Sequence, residues 1–272
     1  MKKQHGFSML FVLLVVIVLA IVGFAAFRVN SNKSSKNIDS NTSDSAENAT
    51  STQENVASTV ANEDVDSTTD CSSEPTLPLP VDLTRIKSIL YPGQVRGGNF
   101  KPHGGFILSG TNNADITLPI DAKVIDGVRY IESGEVQYLF DFEADCGYRF
   151  RLDHLHTLTE EMQTLADTLP EPTAESRTTN VESKQIKAGT VIATRVGFLK
   201  TSNTSFDFGF YDMNTQNEAS KATDWPTDFQ YTTELATHGT CWLDYLSTEN
   251  VTSVKALPAG DGFQGKNSVY CK

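Results

Sequence analysis

The hydrophobic positions of this chain follow three different patterns along its length. In the first, residues Phe7–Phe27 read FSMLFVLLVVIVLAIVGFAAF, 21 positions without a charged residue. An apolar helix of this length, rising about 1.5 Å per residue, spans roughly 30 Å of hydrocarbon. The pattern predicts a transmembrane helix over 7–28 that follows a short cytoplasmic end at 1–6. A cleaved secretory signal, which has a shorter apolar core, is the alternative.

The second pattern is a polar segment after this helix. Residues 29–80 are mostly Ser, Thr, Asn, Asp and Glu, and no aromatic residue lies between Phe27 and Tyr91. A segment of this composition has little with which to build a core, so we predict a disordered stalk over 29–80. Polar Ser/Thr stalks are commonest on the outer side of a membrane. We therefore expect a single-pass protein of the cell membrane with an extracytoplasmic main domain, and a cytoplasmic linker is the alternative.

The third pattern is the alternation of apolar and polar residues that is typical of β-strands, and it dominates the rest of the chain. It is clearest in the segments EVQYLFDF (135–142), YRFRLDHL (148–155) and SFDFGFYD (205–212). Helical spacing of apolar residues ahead of Pro170 predicts one short inserted helix at 159–169. Another short helix is predicted in VDLTRIKSIL (81–90).

These patterns predict a mainly β domain at 81–222, an antiparallel β sandwich or open barrel, followed by a C-terminal extension at 223–272. The formal net charge of −12 argues against a nucleic-acid partner. Four cysteines, without a C-x-x-C pair, allow two disulfides. A Cys241–Cys271 bond would staple the loop-rich end of the chain, and Cys146 with Cys71 is a weaker pairing.

His154 is the histidine whose position the alternation addresses most directly. Within 148–155, we expect it to share the apolar face with Phe150 and Leu152, opposite a solvated row that contains Arg151 and Asp153. A histidine on an apolar face is more often a core residue bonded to a nearby carboxylate or carbonyl than a catalyst. Both interpretations of this side chain stay open from the sequence.

The order of these segments resembles that of the LytM/lysostaphin-type zinc endopeptidases, which cleave peptidoglycan cross-bridges from a compact antiparallel β fold. The resemblance runs from about residue 91 to 212. It is carried by five segments: KPHGGFILSG (101–110), ITLPIDAKVIDGVRYI (116–131), RLDHL (151–155), IKAGTVIATRVG (186–197) and TSFDFGFYD (204–212).

The resemblance assigns roles to particular residues. The family's zinc is held by the His and Asp of H-x-x-x-D and by the second His of H-x-H, while the His of Y-x-H-L and the first His of H-x-H assist the reaction. His103 matches the first ligand and His154 the assisting, catalytic histidine. Ile107, which has no lone pair for a metal, stands in place of the Asp ligand. Ser205 and Asp207 stand in place of the two histidines of H-x-H.

With two of three ligand positions changed, the resemblance implies a degenerate site without a metal or other cofactor. We therefore expect a non-catalytic module that binds or regulates a cell-wall partner, peptidoglycan or protein, through a groove around His103, His154, Ser205 and Asp207. The alternative is an active peptidoglycan endopeptidase, in which His103 and Asp207 recruit His154 or His156 as a third zinc ligand.

The amino terminus offers a third interpretation. KKQHGFSMLFVLLVVIVLAIVGF resembles a type IV prepilin leader, with Gly6 before Phe7 in the place of the cleaved bond and Phe11 where prepilins usually carry Glu. The resemblance implies a pilin-like or surface structural protein whose β domain is the displayed head.

Overall fold

The structure, a computed structural model, describes residues 74–223, 225, 233–262 and 265–272. The predicted cytoplasmic end, transmembrane helix and most of the stalk lie outside these residues, as do Cys71 and the leader-like segment. Within the described ranges, no helix has the length and apolar character needed to cross a membrane.

The described residues contain eleven strands and three α-helices. The strands are β1 (Ile86–Leu90), β2 (Gln94–Arg96), β3 (Asn99–Lys101), β4 (Gly104–Leu108), β5 (Asn113–Thr117), β6 (Ala122–Glu132), β7 (Glu135–Ala144), β8 (Tyr148–Leu158), β9 (Thr179–Ile186), β10 (Val191–Val196) and β11 (Ser205–Asp212). The helices are α1 (Glu160–Ala166), α2 (Thr233–His238) and α3 (Thr248–Lys255).

One large antiparallel sheet organises the domain. Its main path runs β1-β4-β11-β8-β7-β6-β9, and β10 joins β5 to β8 at the side of this path. Strands β2 and β3 form a separate two-stranded hairpin. The prediction of a mainly β, antiparallel fold is confirmed, and the sheet is open rather than closed into a barrel.

The core lies against one face of this sheet. Alternate positions of β7, β8 and β11 point into it, and their phenylalanines are almost completely shielded from solvent: Phe140, Phe142, Phe150, Phe206, Phe208 and Phe210. Burying an aromatic side chain of this size contributes about 1.5 to 3 kcal/mol, so these six form much of the hydrophobic stabilisation of the sheet. The alternation predicts the burial of Phe140, Phe142, Phe206, Phe208 and Phe210 correctly. It is wrong at the start of β7, where Val136 is exposed and Gln137 is buried, because the register with β8 shifts between Tyr138 and Phe140.

The two predicted helices have different outcomes. Helix α1 lies within the predicted 159–169 segment, with Met162, Leu165 and Ala166 buried, as the helical spacing requires. The helix predicted at 81–90 is wrong. A single 3₁₀ turn at Leu83–Arg85, capped by Asp82, leads there directly into β1. Strand formation wins because the isoleucines of this segment become buried when β1 pairs with β4.

The carboxyl-terminal residues that are described pack on the same core. Trp242 and Val254 belong to the hydrophobic cluster of the strands, and so does Leu77 from the end of the predicted stalk. The predicted Cys241–Cys271 disulfide is present, and its cysteines are separated by 30 positions in the sequence. Cys146 is also disulfide-bonded, and its predicted pairing with Cys71 involves a residue outside the described ranges.

Candidate metal site

Asp207 lies at the centre of the candidate site, on the face of the sheet opposite the core. It alternates in β11 with the buried Phe206 and Phe208, and it pairs with Gly105 of β4 and with Asp153 of β8. A Cβ atom at Gly105 would lie 3.1 Å from Oδ1 of Asp207 and 2.5 Å from the carbonyl oxygen of Phe206. The missing side chain at Gly105 therefore leaves the space over β4 that the Asp207 carboxylate occupies.

His103 reaches Asp207 from the residue that immediately precedes β4. Its Nε2 lies 2.9 Å from Oδ2 of Asp207, and its side chain is 9% exposed. The contact is close but not aligned as a hydrogen bond, and neither ring nitrogen has a hydrogen-bond partner among the described residues. Buried polar groups in folded proteins nearly always have a partner, so this imidazole is suited to a ligand at the site.

A β-bulge brings His154 to the same place. Along β7, Tyr138 pairs with Leu155 and Phe140 with Leu152, so two residues of β8 lie opposite one residue of β7. His154 adopts a left-handed backbone conformation with φ of 60°. The expectation that His154 shares the core face with Phe150 and Leu152 is therefore wrong. The bulge turns the His154 side chain to the opposite face of the sheet, which also carries Asp153.

Tyr130 of β6 connects the two side chains that the bulge brings together. Its hydroxyl lies 2.7 Å from Oδ1 of Asp153 and 3.0 Å from Nδ1 of His154. Burial and the Asp153 carboxylate raise the pKa of Tyr130 well above its usual value. The hydroxyl therefore stays protonated and donates a hydrogen bond to Asp153. Because Nδ1 of His154 lies at the Tyr130 hydroxyl, Nε2 is the ring nitrogen that faces Asp207.

Asp153, His154 and Asp207 form a candidate metal-binding triad. One ligand atom from each residue lies within 4.8 Å of the others, and Nε2 of His154 is 3.7 Å from Oδ2 of Asp207. Zinc bonds to nitrogen and oxygen of about 2.0 to 2.1 Å place neighbouring tetrahedral ligands roughly 3.3 Å apart. The 3.7 Å contact between His154 and Asp207 lies close to this separation, whereas the full spread of 4.8 Å is wider, so the three residues form a candidate set that an ion would draw closer together.

The charges around Asp207 keep it ionised. Burial alone would raise the pKa of its carboxyl, but His103 most strongly, then His154 and Arg96, hold that pKa well below its usual range. Burial would also lower the pKa of His154, and the carboxylates of Asp153 and Asp207 outweigh burial and raise it. The site is therefore a compact set of anionic oxygens and imidazole nitrogens in which opposite charges stabilise one another.

The face of β8 that carries Asp153 is not solvated as predicted. Asp153 is 8% exposed and Arg151 is 7% exposed. Arg151 binds Asp141 of β7 through two parallel hydrogen bonds of 2.7 Å. The sequence pattern misses this burial because it treats charged residues as exposed. Charged side chains on neighbouring strands can be buried when they pair with one another.

The other residues singled out from the sequence lie outside the triad. Ser205 is engaged with the side chain of Asn203, to which its hydroxyl and its backbone N–H both donate. His156 contacts Glu135 through Nε2 at 3.1 Å. Ile107 pairs with Ser205 and offers no ligand atom.

Comparison with known proteins adds no assignment to this geometry. A scan against models of protein families and a search of curated proteins find no match to the chain.

Sequence reasoning missed two members of the site, Asp153 and Tyr130. The signal for Asp153 was its place directly before His154 in RLDHL, because a bulge at this point puts consecutive residues on one face. Tyr130 gives no comparable signal. It reaches the site because a register shift between Val124 and Asp126 changes the face of the second half of β6.

Proposed function

We propose that this protein is a metal-dependent hydrolase of the LytM/lysostaphin type that acts on cell-wall peptides outside the cytoplasm. The observation that carries the proposal is the convergence of Asp153, His154 and Asp207, with His103 in contact with Asp207. Asp153 supplies a carboxylate where Ile107 has none. Three protein ligands and an open position are the composition of a catalytic zinc site.

The residues divide into two roles. Asp153, His154 and Asp207 would hold the ion, and the Tyr130 hydroxyl orients two of them from behind. When bound, zinc supplies a Lewis acid and lowers the pKa of a water molecule to about 7. His103 has no aligned hydrogen bond to either ring nitrogen among the described residues, so it is the group that remains to accept a proton at its imidazole.

An extracytoplasmic location is part of the same proposal. It is supported by the Cys241–Cys271 disulfide, because structural disulfides persist mainly in oxidising compartments. The transmembrane helix over 7–28 and the polar stalk, which the sequence predicts, would hold the domain at the cell membrane.

A metal-free binding module is the second candidate. It is favoured by the His103–Asp207 contact, which gives the buried Asp207 carboxylate a counter-charge without any ion. In that case the groove would bind a cell-wall peptide, glycan strand or protein without cleaving it. The pilin-like alternative depends on cleavage between Gly6 and Phe7, outside the described residues, and amino-terminal sequencing of the cellular protein tests it.

The two candidates are separated by incubating the full chain, in detergent micelles with zinc, with purified peptidoglycan. A hydrolase releases soluble fragments with new amino groups, which mass spectrometry identifies, and the Asp207→Asn variant releases none. Ser205→Ala, a change on the same strand outside the triad, should leave the release intact. Co-sedimentation with peptidoglycan but no release at any zinc concentration would reject the hydrolase and leave the binding module.

A further inference from the structure

The β2–β3 hairpin places two cationic residues beside the candidate metal site. Arg96 ends β2 and Lys101 ends β3, and the register pairs Gln94 with Lys101 and Arg96 with Asn99. His103 follows Lys101 by two residues. The hairpin is therefore joined directly to the histidine that contacts Asp207.

Arg96 is fixed against the backbone at the edge of the site. Its Nη2 donates to the carbonyl oxygen of His103 at 2.9 Å, and its Nη1 donates to the carbonyl oxygen of Tyr91 at 2.7 Å. A guanidinium has five N–H donors, so three remain after these two bonds. The charge is thus positioned next to His103 without being neutralised by the groups that hold it.

Within the described ranges, neither Arg96 nor Lys101 forms an ion pair. Other basic residues do, including Arg129, Arg149, Arg151, Lys184 and Lys187. Arg96 is partly buried, and a buried charge is normally paired because it has lost part of its hydration. In a chain with a net charge of −12, Arg96 has the carboxylates of Asp207 and Asp261 within electrostatic range but forms an ion pair with neither among the described residues, so its charge is available to an anionic ligand.

Both cations act on the triad at longer range. Arg96 and Asp207 interact electrostatically, as do Lys101 and His154. Asp207 is in contact with His103 at 2.9 Å, and the more distant Arg96 adds to the charges that hold the pKa of its carboxyl low. The two positive charges therefore lie within electrostatic range of the residues that would hold the ion.

We propose that Arg96 and Lys101 anchor a carboxylate of the substrate beside the metal site, so that the groove selects peptides with a free α-carboxylate near the bond to be cleaved. This inference rests on the proposed hydrolase function and names its substrate class. A guanidinium binds a carboxylate through two parallel hydrogen bonds. A monoanion fits better than dianionic phosphate, because Asp153 and Asp207 repel a second negative charge.

The test compares N-acetyl-D-alanyl-D-alanine with its carboxy-terminal amide, by calorimetric titration of the zinc-loaded full chain in detergent micelles at low salt. The acid should bind about 10- to 100-fold more tightly than the amide, the range for a hydrogen bond to a charged group. Arg96→Gln and Lys101→Gln should each reduce this ratio. Arg85→Gln is the matched control, because Arg85 also donates to two backbone carbonyl oxygens, away from the hairpin.

Zinc content of each variant is measured in parallel, because Arg96 also holds the backbone of His103. If Arg96→Gln loses zinc, Lys101→Gln, which leaves that contact intact, decides the question. If the zinc-loaded wild type binds the acid and the amide equally, the proposed carboxylate anchor is wrong but the proposed hydrolase is not. The same conclusion follows if inorganic phosphate binds more tightly than the acid. A wild-type chain that binds neither zinc nor either peptide overturns the anchor and the proposed hydrolase together.

Discussion

The hydroxyl of Tyr130 lies 3.0 Å from Nδ1 of His154, although the two residues belong to strands that are not neighbours in the sheet. The contact depends on the bulge in β8, which also lets the same hydroxyl reach Asp153. One hydroxyl thus fixes the orientation of both Asp153 and His154.

Removing this hydroxyl should weaken metal binding without unfolding the protein. We expect Tyr130→Phe to reduce zinc affinity about 10- to 100-fold, as for other groups that orient metal ligands from behind. The free energy of unfolding should fall by only about 1 to 2 kcal/mol, the cost of a lost buried hydrogen bond. Competition with a chelating dye measures the first quantity and urea denaturation the second.

Tyr138→Phe is the matched control, because Tyr138 lies on the neighbouring strand β7 and its hydroxyl contacts Gln163 instead. It should keep wild-type zinc affinity. Identical zinc affinity in wild type and Tyr130→Phe would show that the Tyr130 hydroxyl does not orient the ligands.

The buried Arg151–Asp141 pair should be much more sensitive to the loss of one partner than to the loss of both. Arg151→Met leaves Asp141 without a counter-charge, and we expect the free energy of unfolding to fall by about 3 to 5 kcal/mol. Adding Asp141→Leu should restore a large part of this loss, because no charge then remains buried. Urea denaturation of the single and double variants measures both, and losses that simply add would contradict the pairing.

Acid should destabilise the metal-free protein partly through Asp207. The pKa of its carboxyl in the folded state lies below the ordinary 3.8, so the folded state binds fewer protons than the unfolded state near pH 4. The stabilisation is therefore complete above about pH 5 and is lost as the pH falls through 4 toward the folded pKa.

Asp207→Asn cannot take up this proton, so its unfolding free energy should fall less steeply between pH 5 and 3 than that of the wild type. Denaturation at a series of pH values with a chelator present provides the measurement. Parallel curves for the two proteins would mean that Asp207 is not paired in the folded domain.

The Cys241–Cys271 bond should contribute measurably to stability. Its loop spans 30 residues, for which the loss of chain entropy in the unfolded state corresponds to about 3 to 4 kcal/mol. The double variant Cys241→Ala, Cys271→Ala should lose roughly this amount under oxidising conditions, which keep the disulfide of Cys146. Unchanged denaturation midpoints would refute a stabilising role of the bond.

Alternation in the sequence predicts the strands and the burial of Phe206, Phe208 and Phe210 correctly, although it fails at Val136 and Gln137 of β7. The same rule places His154 on the wrong face. A left-handed conformation at a non-glycine residue has no signature in composition or periodicity, and the bulge is stabilised by contacts with distant strands. The sequence placed His103, His154 and Asp207 in one candidate site, whereas Asp153 and Tyr130 reach it only through the bulge in β8 and the register shift in β6.

The most direct test of the metal site is the zinc content of the purified full chain after dialysis against metal-free buffer, measured by atomic absorption. The account predicts about one zinc ion per chain in the wild type and in His156→Ala, a histidine two positions from the triad that contacts Glu135. It predicts strongly reduced zinc in Asp153→Ala, His154→Ala and Asp207→Ala. A wild-type chain that retains no zinc, or an Asp153→Ala chain that holds zinc as tightly as the wild type, would contradict it.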